Sequence, residues 1–129
     1  MKNILLLLLF TASSHFAFSQ TQLEMNQQEH AKFQKADKEL NQMYERILKE
    51  YKQDTAFIRN LKASQRIWLQ FRDAEMKMKY PDSHEYGSVQ PMCWSIYLTD
   101  LTQERINTLR TWIDGIEEGD VCTGSVKIK

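Results

Sequence analysis

The order of apolar and polar residues divides the chain into one short greasy run and three long stretches of helical spacing. The run, Ile4 to Phe10, is dominated by leucine and follows the charge of Lys2. In the first long stretch Phe33, Ala36, Leu40, Met43, Tyr44, Ile47, Leu48 and Tyr51 recur at three- and four-residue steps among lysines and glutamates, one face of an amphipathic helix. Thr21 with Glu24 three residues later has the form of a capping box, so a first helix is expected over about 21–51. In the second, Asp54 can cap a helix in which Phe57, Leu61, Ser64, Trp68, Phe71, Glu75 and Met78 follow the spacing of an interhelical seam. That helix must stop by Tyr80, because Pro81 disfavours helical geometry in the residue before it and donates no backbone hydrogen bond. The third begins near Pro91, carries Trp94, Tyr97, Leu98, Leu101, Arg105, Leu109, Trp112 and Ile113 on its inner face, and meets a stop at Gly115.

Strand alternation is absent, and the one cluster of turn formers is Tyr80 to Ser88. The pattern therefore predicts an all-α fold, an antiparallel three-helix bundle with helices at about 21–51, 54–80 and 91–114. Short connections make sequence neighbours run oppositely. One longer loop joins the second and third helices, and residues 115–129 are expected to be a flexible tail.

The greasy run changes what the mature molecule is. It is too short to span a bilayer, and Ala17 and Ser19 supply small residues at minus three and minus one of a cleavage site after Ser19. Residues 1–19 thus read as a secretory signal, no cysteine at the junction could carry a lipid, and no later run is long enough for a membrane span. The expected product is one domain, residues 20–129, exported to a periplasm or beyond, and large enough for a single core. Acidic and basic residues balance at 17 each in the precursor, which gives no electrostatic argument for nucleic acid.

Cys93 and Cys122 would sit in an oxidising compartment. A helix from Cys93 to Asp114 is about 30 Å long. Eight residues from Asp114 to Cys122 reach back about 28 Å at full extension, so a bridge within the chain is disfavoured. Free thiols and a bridge between molecules stay open.

Candidate chemistry is sparse. Of His15, His30 and His84 the first leaves with the leader, and Glu29-His30 lacks the second histidine of a zinc-protease helix. Asp82 to Gly87 begins like a calcium loop, but His84 and Tyr86 occupy ligand positions and Cys93 stands where a glutamate is needed. No elbow motif surrounds any serine. The residues predict no catalytic group, no metal and no cofactor. The polar content of the seam stands out instead: Gln65, Trp68, Arg72 and Glu75 share a face of the second helix, and Asp37 and Asn41 lie one turn apart on the first. Asp37 and Asn41 can meet Arg66, Arg72 or Arg105 in charge-assisted hydrogen bonds, a structural network in preference to an active site. An enzyme built on Arg72, Asp73 and Glu75 is the minor alternative.

Glu24-Met25-Asn26, Ala36 to Tyr44, Gln65 to Glu75, Gly87 to Met92 and Leu101-Thr102-Gln103-Glu104-Arg105, taken in order, resemble the LprI-like lysozyme inhibitor family over residues 22–113. The resemblance places Asp37, Asn41, Gln65, Trp68, Arg72, Asp73 and Arg105 in family motifs as structural polar residues. Members often carry cysteines where this chain has Gln28, Met76 and Tyr97, so the usual disulfide is not expected. The resemblance also implies an exported binding protein whose partner is lysozyme. Many lysozymes are strongly basic, which favours acidic contacts. Asp82 and Glu85 supply them on the exposed loop, with Ser83 and Ser88 as hydrogen-bonding groups and His84 and Tyr86, beside Tyr80, as aromatic anchors. Glu117, Glu118 and Asp120 offer a second acidic site. The rival reading is an envelope scaffold that binds another exported protein through a helical face.

Overall fold

A computed structural model describes residues 2–81 and 85–129, with side chains from residue 21 onward. Its three helices are α1, Lys2–Glu50, α2, Thr55–Lys79, and α3, Gln90–Asp114, with a short turn of tighter helix at Gly87–Val89. They form the expected bundle. α2 runs against both neighbours, so α1 and α3 run parallel: Asn26 reaches Ser88 at one end, and Tyr51 reaches Trp112 at the other.

The first helix starts earlier than its sequence cap suggests. α1 continues from Lys2 through Thr21, because no glycine or proline interrupts residues 2–50 and the leucine run itself favours helix. The second cap is as read: Asp54 accepts a hydrogen bond from the Phe57 N–H at 2.9 Å. α3 starts with Pro91 in its first turn and ends at Gly115, whose φ of 74° and ψ of 178° are open essentially to glycine alone and turn the chain out of the helix.

The centre of the core is Leu40 and Ile47 from α1, Leu61 from α2, and Ile106, Leu109 and Ile113 from α3, with Met43, Tyr44, Leu48 and Tyr51 packed around it. α1 and α3 approach each other closely along their length, and α2 stands farther off. Small side chains allow the approach: Ala36, Ser95 and Thr102 are all buried. Residues 95, 102, 106 and 113 share a side of α3 that the inner-face reading omitted apart from Ile113. The omission has a physical cause. α3 is covered on two sides, so its buried arc is wider than the stripe a surface helix shows.

α2 is rotated from the expected seam. Leu61, Gln65 and Met76 are its buried residues, while Phe71 is 50% and Met78 71% exposed. Gln65 and Arg72 find polar partners on α3 and α1, and satisfying them turns the apolar Phe71 and Met78 outward.

Beyond Gly115, where a flexible tail is expected, the chain instead folds back on the end of the bundle. Ile116 and Ile128 pair in a parallel bridge, with Ile116 N–H donating to Lys127 O at 3.0 Å and Lys129 N–H to Ile116 O at 2.9 Å. The Tyr51 hydroxyl donates to Trp112 O at 3.0 Å and accepts from the Lys127 N–H at 3.2 Å, and Lys127 Nζ lies 2.8 Å from Glu50. Composition alone hides this, because the fastening groups Tyr51, Glu50 and Trp112 lie far back in sequence. Cys93 and Cys122 are both free thiols.

Candidate functional site

The seven polar motif residues come together along α2. Arg72 lies 3.4 Å from Asp37 Oδ1 and 3.5 Å from Asp73 Oδ1, and Asn41 Nδ2 donates to the other Asp37 oxygen at 3.4 Å. Two turns towards the tail end, Arg105 Nε donates to Gln65 Oε1 and its Nη2 to Ser64 Oγ, both at 3.0 Å. The Trp68 ring lies between the two cations, 5.3 Å from Arg72 and 5.9 Å from Arg105. Glu75 accepts from the Tyr97 hydroxyl at 2.9 Å, which raises the pKa of that phenol above its ordinary value, with burial adding to the shift. Lys79 sits over the same ring at 3.6 Å. Every acid in this network is engaged with a cation or a phenol, Asp73 is exposed and Asp37 half-buried, so the arrangement clamps helices together and presents no isolated acid–base pair. Arg66 takes no part.

The expected contact loop lies at the opposite end of the bundle from the tail. Asp82, Ser83 and His84 fall outside the described residues. Glu85, Tyr86 and Ser88 are exposed, and Ser88 O accepts from Asn26 Nδ2 at 3.1 Å, which ties the loop to α1. Behind them is an aromatic cluster. Tyr86 meets Tyr80 edge-on at 5.7 Å between ring centres, and Tyr80 lies 5.7 Å from Trp94. Burial raises the Tyr80 pKa above its ordinary value. A shallow groove beside the cluster is lined by His30, Pro91, Trp94 and Ser95. Part of the candidate loop is thus held on a rigid aromatic base, a surface suited to protein contact.

Two features escaped the sequence reading. One is a cleft of about 330 Å³ between α2, α3 and the returning tail, with Phe57, Leu61, Leu109 and Trp112 as apolar walls. The aromatic spacing of Phe57 and Trp112 was visible, but nothing in the sequence linked it to Ser125, which closes the cleft and accepts the Trp112 indole N–H at 3.0 Å. The other is charge asymmetry: α2 holds six basic and two acidic residues, although the whole chain balances. Among the described residues no group of three His, Cys, Asp or Glu could hold a metal ion, and no helix is long and apolar enough to cross a membrane.

The model of the lysozyme inhibitor LprI family matches residues 15–109. The chain belongs to this family. The match takes in the polar network, the loop and most of α3, and ends before Trp112 and the tail. Neither a curated protein nor a solved structure matches the chain. The family is described as one of lysozyme inhibitors.

Proposed function

We propose that the chain is an exported lysozyme inhibitor, released after cleavage near Ser19, that protects the cell wall by binding lysozyme through the loop end of the bundle. The observation that carries this reading is the family match over residues 15–109. Charge supports the placement. A strongly basic partner is repelled by α2 and attracted to the acidic loop of Asp82 and Glu85 or to Glu117, Glu118 and Asp120. The aromatic cluster of Tyr80, Tyr86 and Trp94 supplies apolar contact beside the loop charges.

The test is inhibition of cell-wall lysis by the mature protein, residues 20–129, against several lysozyme classes. The double substitution Asp82→Lys, Glu85→Lys should weaken inhibition at least tenfold while leaving the melting temperature unchanged. Inhibition that survives it would move the site to the tail end. Absence of inhibition from every class at high molar excess would remove the function.

An exposed apolar line on α2, with Ile67 63%, Phe71 50% and Met78 71% accessible, favours a second reading as an envelope scaffold that docks another exported protein. Capture of one abundant envelope partner, abolished by Phe71→Asp and accompanied by no effect on lysozyme, would select it.

A further inference from the structure

The cleft near the tail shares Arg105 and Ser64 with the helix clamp and has a polarity that inhibition by the loop does not use. Its walls are Phe57, Leu61, Leu109 and Trp112, and Arg105 lies at one end beside Ser64. Tyr51 backs the aromatic wall, 4.4 Å from Phe57, and Phe57 is 6.3 Å from Trp112.

Arg105 is the informative group. A guanidinium has five N–H donors, and among the described residues two of those of Arg105 have acceptors, both neutral: Gln65 and Ser64. No carboxylate among the described residues pairs with it, whereas Arg72, the other arginine of the network, lies against Asp37 and Asp73. Burial lowers its pKa from the ordinary value, the mark of a cation held partly out of water. At the far end of the cleft stands Asp54, ten residues before Ser64 and so about 15 Å away along the helix. A ligand with an anionic end is therefore oriented, head at Arg105 and body over the rings, and a second anionic group at the Asp54 end is repelled.

We infer that this cleft binds a small monocarboxylate with an aromatic or aliphatic body, its carboxylate held by Arg105 and Ser64. The size suits such a ligand: at about 330 Å³ the cleft lies at the lower end of small-molecule sites, roughly 300–1,000 Å³. The tail is the closing element, since Ser125 borders the cleft, and it lies outside the segment that matches the family. The inference is independent of lysozyme binding.

Hydrocinnamate is a probe of the right size and charge, with its amide and the matching amine as controls of equal shape. They are titrated into nitrogen-labelled mature protein, and the Trp112 indole N–H resonance is followed, with the Trp94 indole at the opposite end of the bundle as internal reference. The acid should move the signals of Trp112 and of Trp68, which lies against Arg105, leave Trp94 in place, and bind at least tenfold tighter than the amide, with the amine weakest. Arg105→Gln should bring the acid down to the affinity of the amide while leaving the amide unchanged, and Ala56→Trp at the rim should block all three. Equal affinities for acid, amide and amine would overturn the assignment, as would a Trp112 signal unmoved by the acid at about 10 mM, where a millimolar site is filled. If Arg105→Gln fails to fold, the ratio of acid to amide in the unsubstituted protein decides.

Discussion

The contact of α3 with α1 and its contact with α2 are built on opposite principles. Towards α1 the residues are small or aliphatic: Ala36, Leu40 and Ile47 against Ser95, Thr102, Ile106 and Ile113, all buried. Towards α2 they are large, polar and partly wet: Arg105 on Gln65 and Ser64, Tyr97 on Glu75, Trp112 on Phe57. The first contact is short-range and depends on fit, which makes it strong and intolerant of change. The second is held by individual hydrogen bonds at the edge of solvent, each worth on the order of 1 kcal/mol. Stability is thus concentrated in the parallel pair α1 and α3. The groove, cleft and exposed apolar line surround α2 and the helix ends, where a partner or ligand can be accommodated without disturbing the core.

The hardest blow to this division is Ile106→Ala. Ile106 is completely buried, and its truncation should cost about 2–5 kcal/mol in a cooperative denaturant transition. A loss below about 1 kcal/mol would mean that the tight seam is not the main support.

Next comes Gly115→Ala. An added Cβ would lie 2.8 Å from Lys127 O, and φ is 74°, so strain of about 1–3 kcal/mol should appear and be relieved by release of the tail. Proteolysis of the last residues should accelerate while α1 and α3 stay protected.

Thr102 sharpens the comparison from the other side. Its hydroxyl is buried in the tight seam and has no hydrogen-bond partner among the described residues. Thr102→Val keeps the shape and removes that penalty, and should stabilise by about 1 kcal/mol, read as a higher melting temperature.

On the wet side Asp37→Asn should cost less than about 1 kcal/mol, because Asp37 is 42% exposed and Arg72 retains Asp73. The smallest effect concerns Glu50. Hydrogen bonds from Lys127 and then Arg46 lower its pKa, so the folded state holds its charged form more tightly than the unfolded chain does. That contribution is present above the ordinary carboxylate pKa of about 4.3 and is lost as pH falls through the lower folded value. Tail resonances should shift below about pH 4 before the bundle melts, and Lys127→Ala should abolish that shift.

The legible parts of the fold were those governed by a single rule. Asp54, Pro81, Pro91 and Gly115 mark helix ends through local geometry, and the stripe from Phe33 to Tyr51 marks one buried face. Where two requirements compete, periodicity misleads. On α2 the spacing of Phe71 and Met78 points inward, but burial of Gln65 and Arg72 against partners on other helices decides the rotation. The network residues were recognisable because polar groups at seam spacing must be satisfied, whereas the partner of each required the bundle. The cleft was hidden because it depends on the tail returning to Tyr51 and Glu50, a contact no local pattern encodes.

Native-state hydrogen exchange of residues 20–129, resolved by residue, tests the division between the two contacts most directly. Amides at the centres of α1 and α3 should exchange only through global unfolding, while those of α2 around Gln65 to Arg72 open at lower free energy. Equal protection in all three helices, with the same denaturant dependence, would contradict the account.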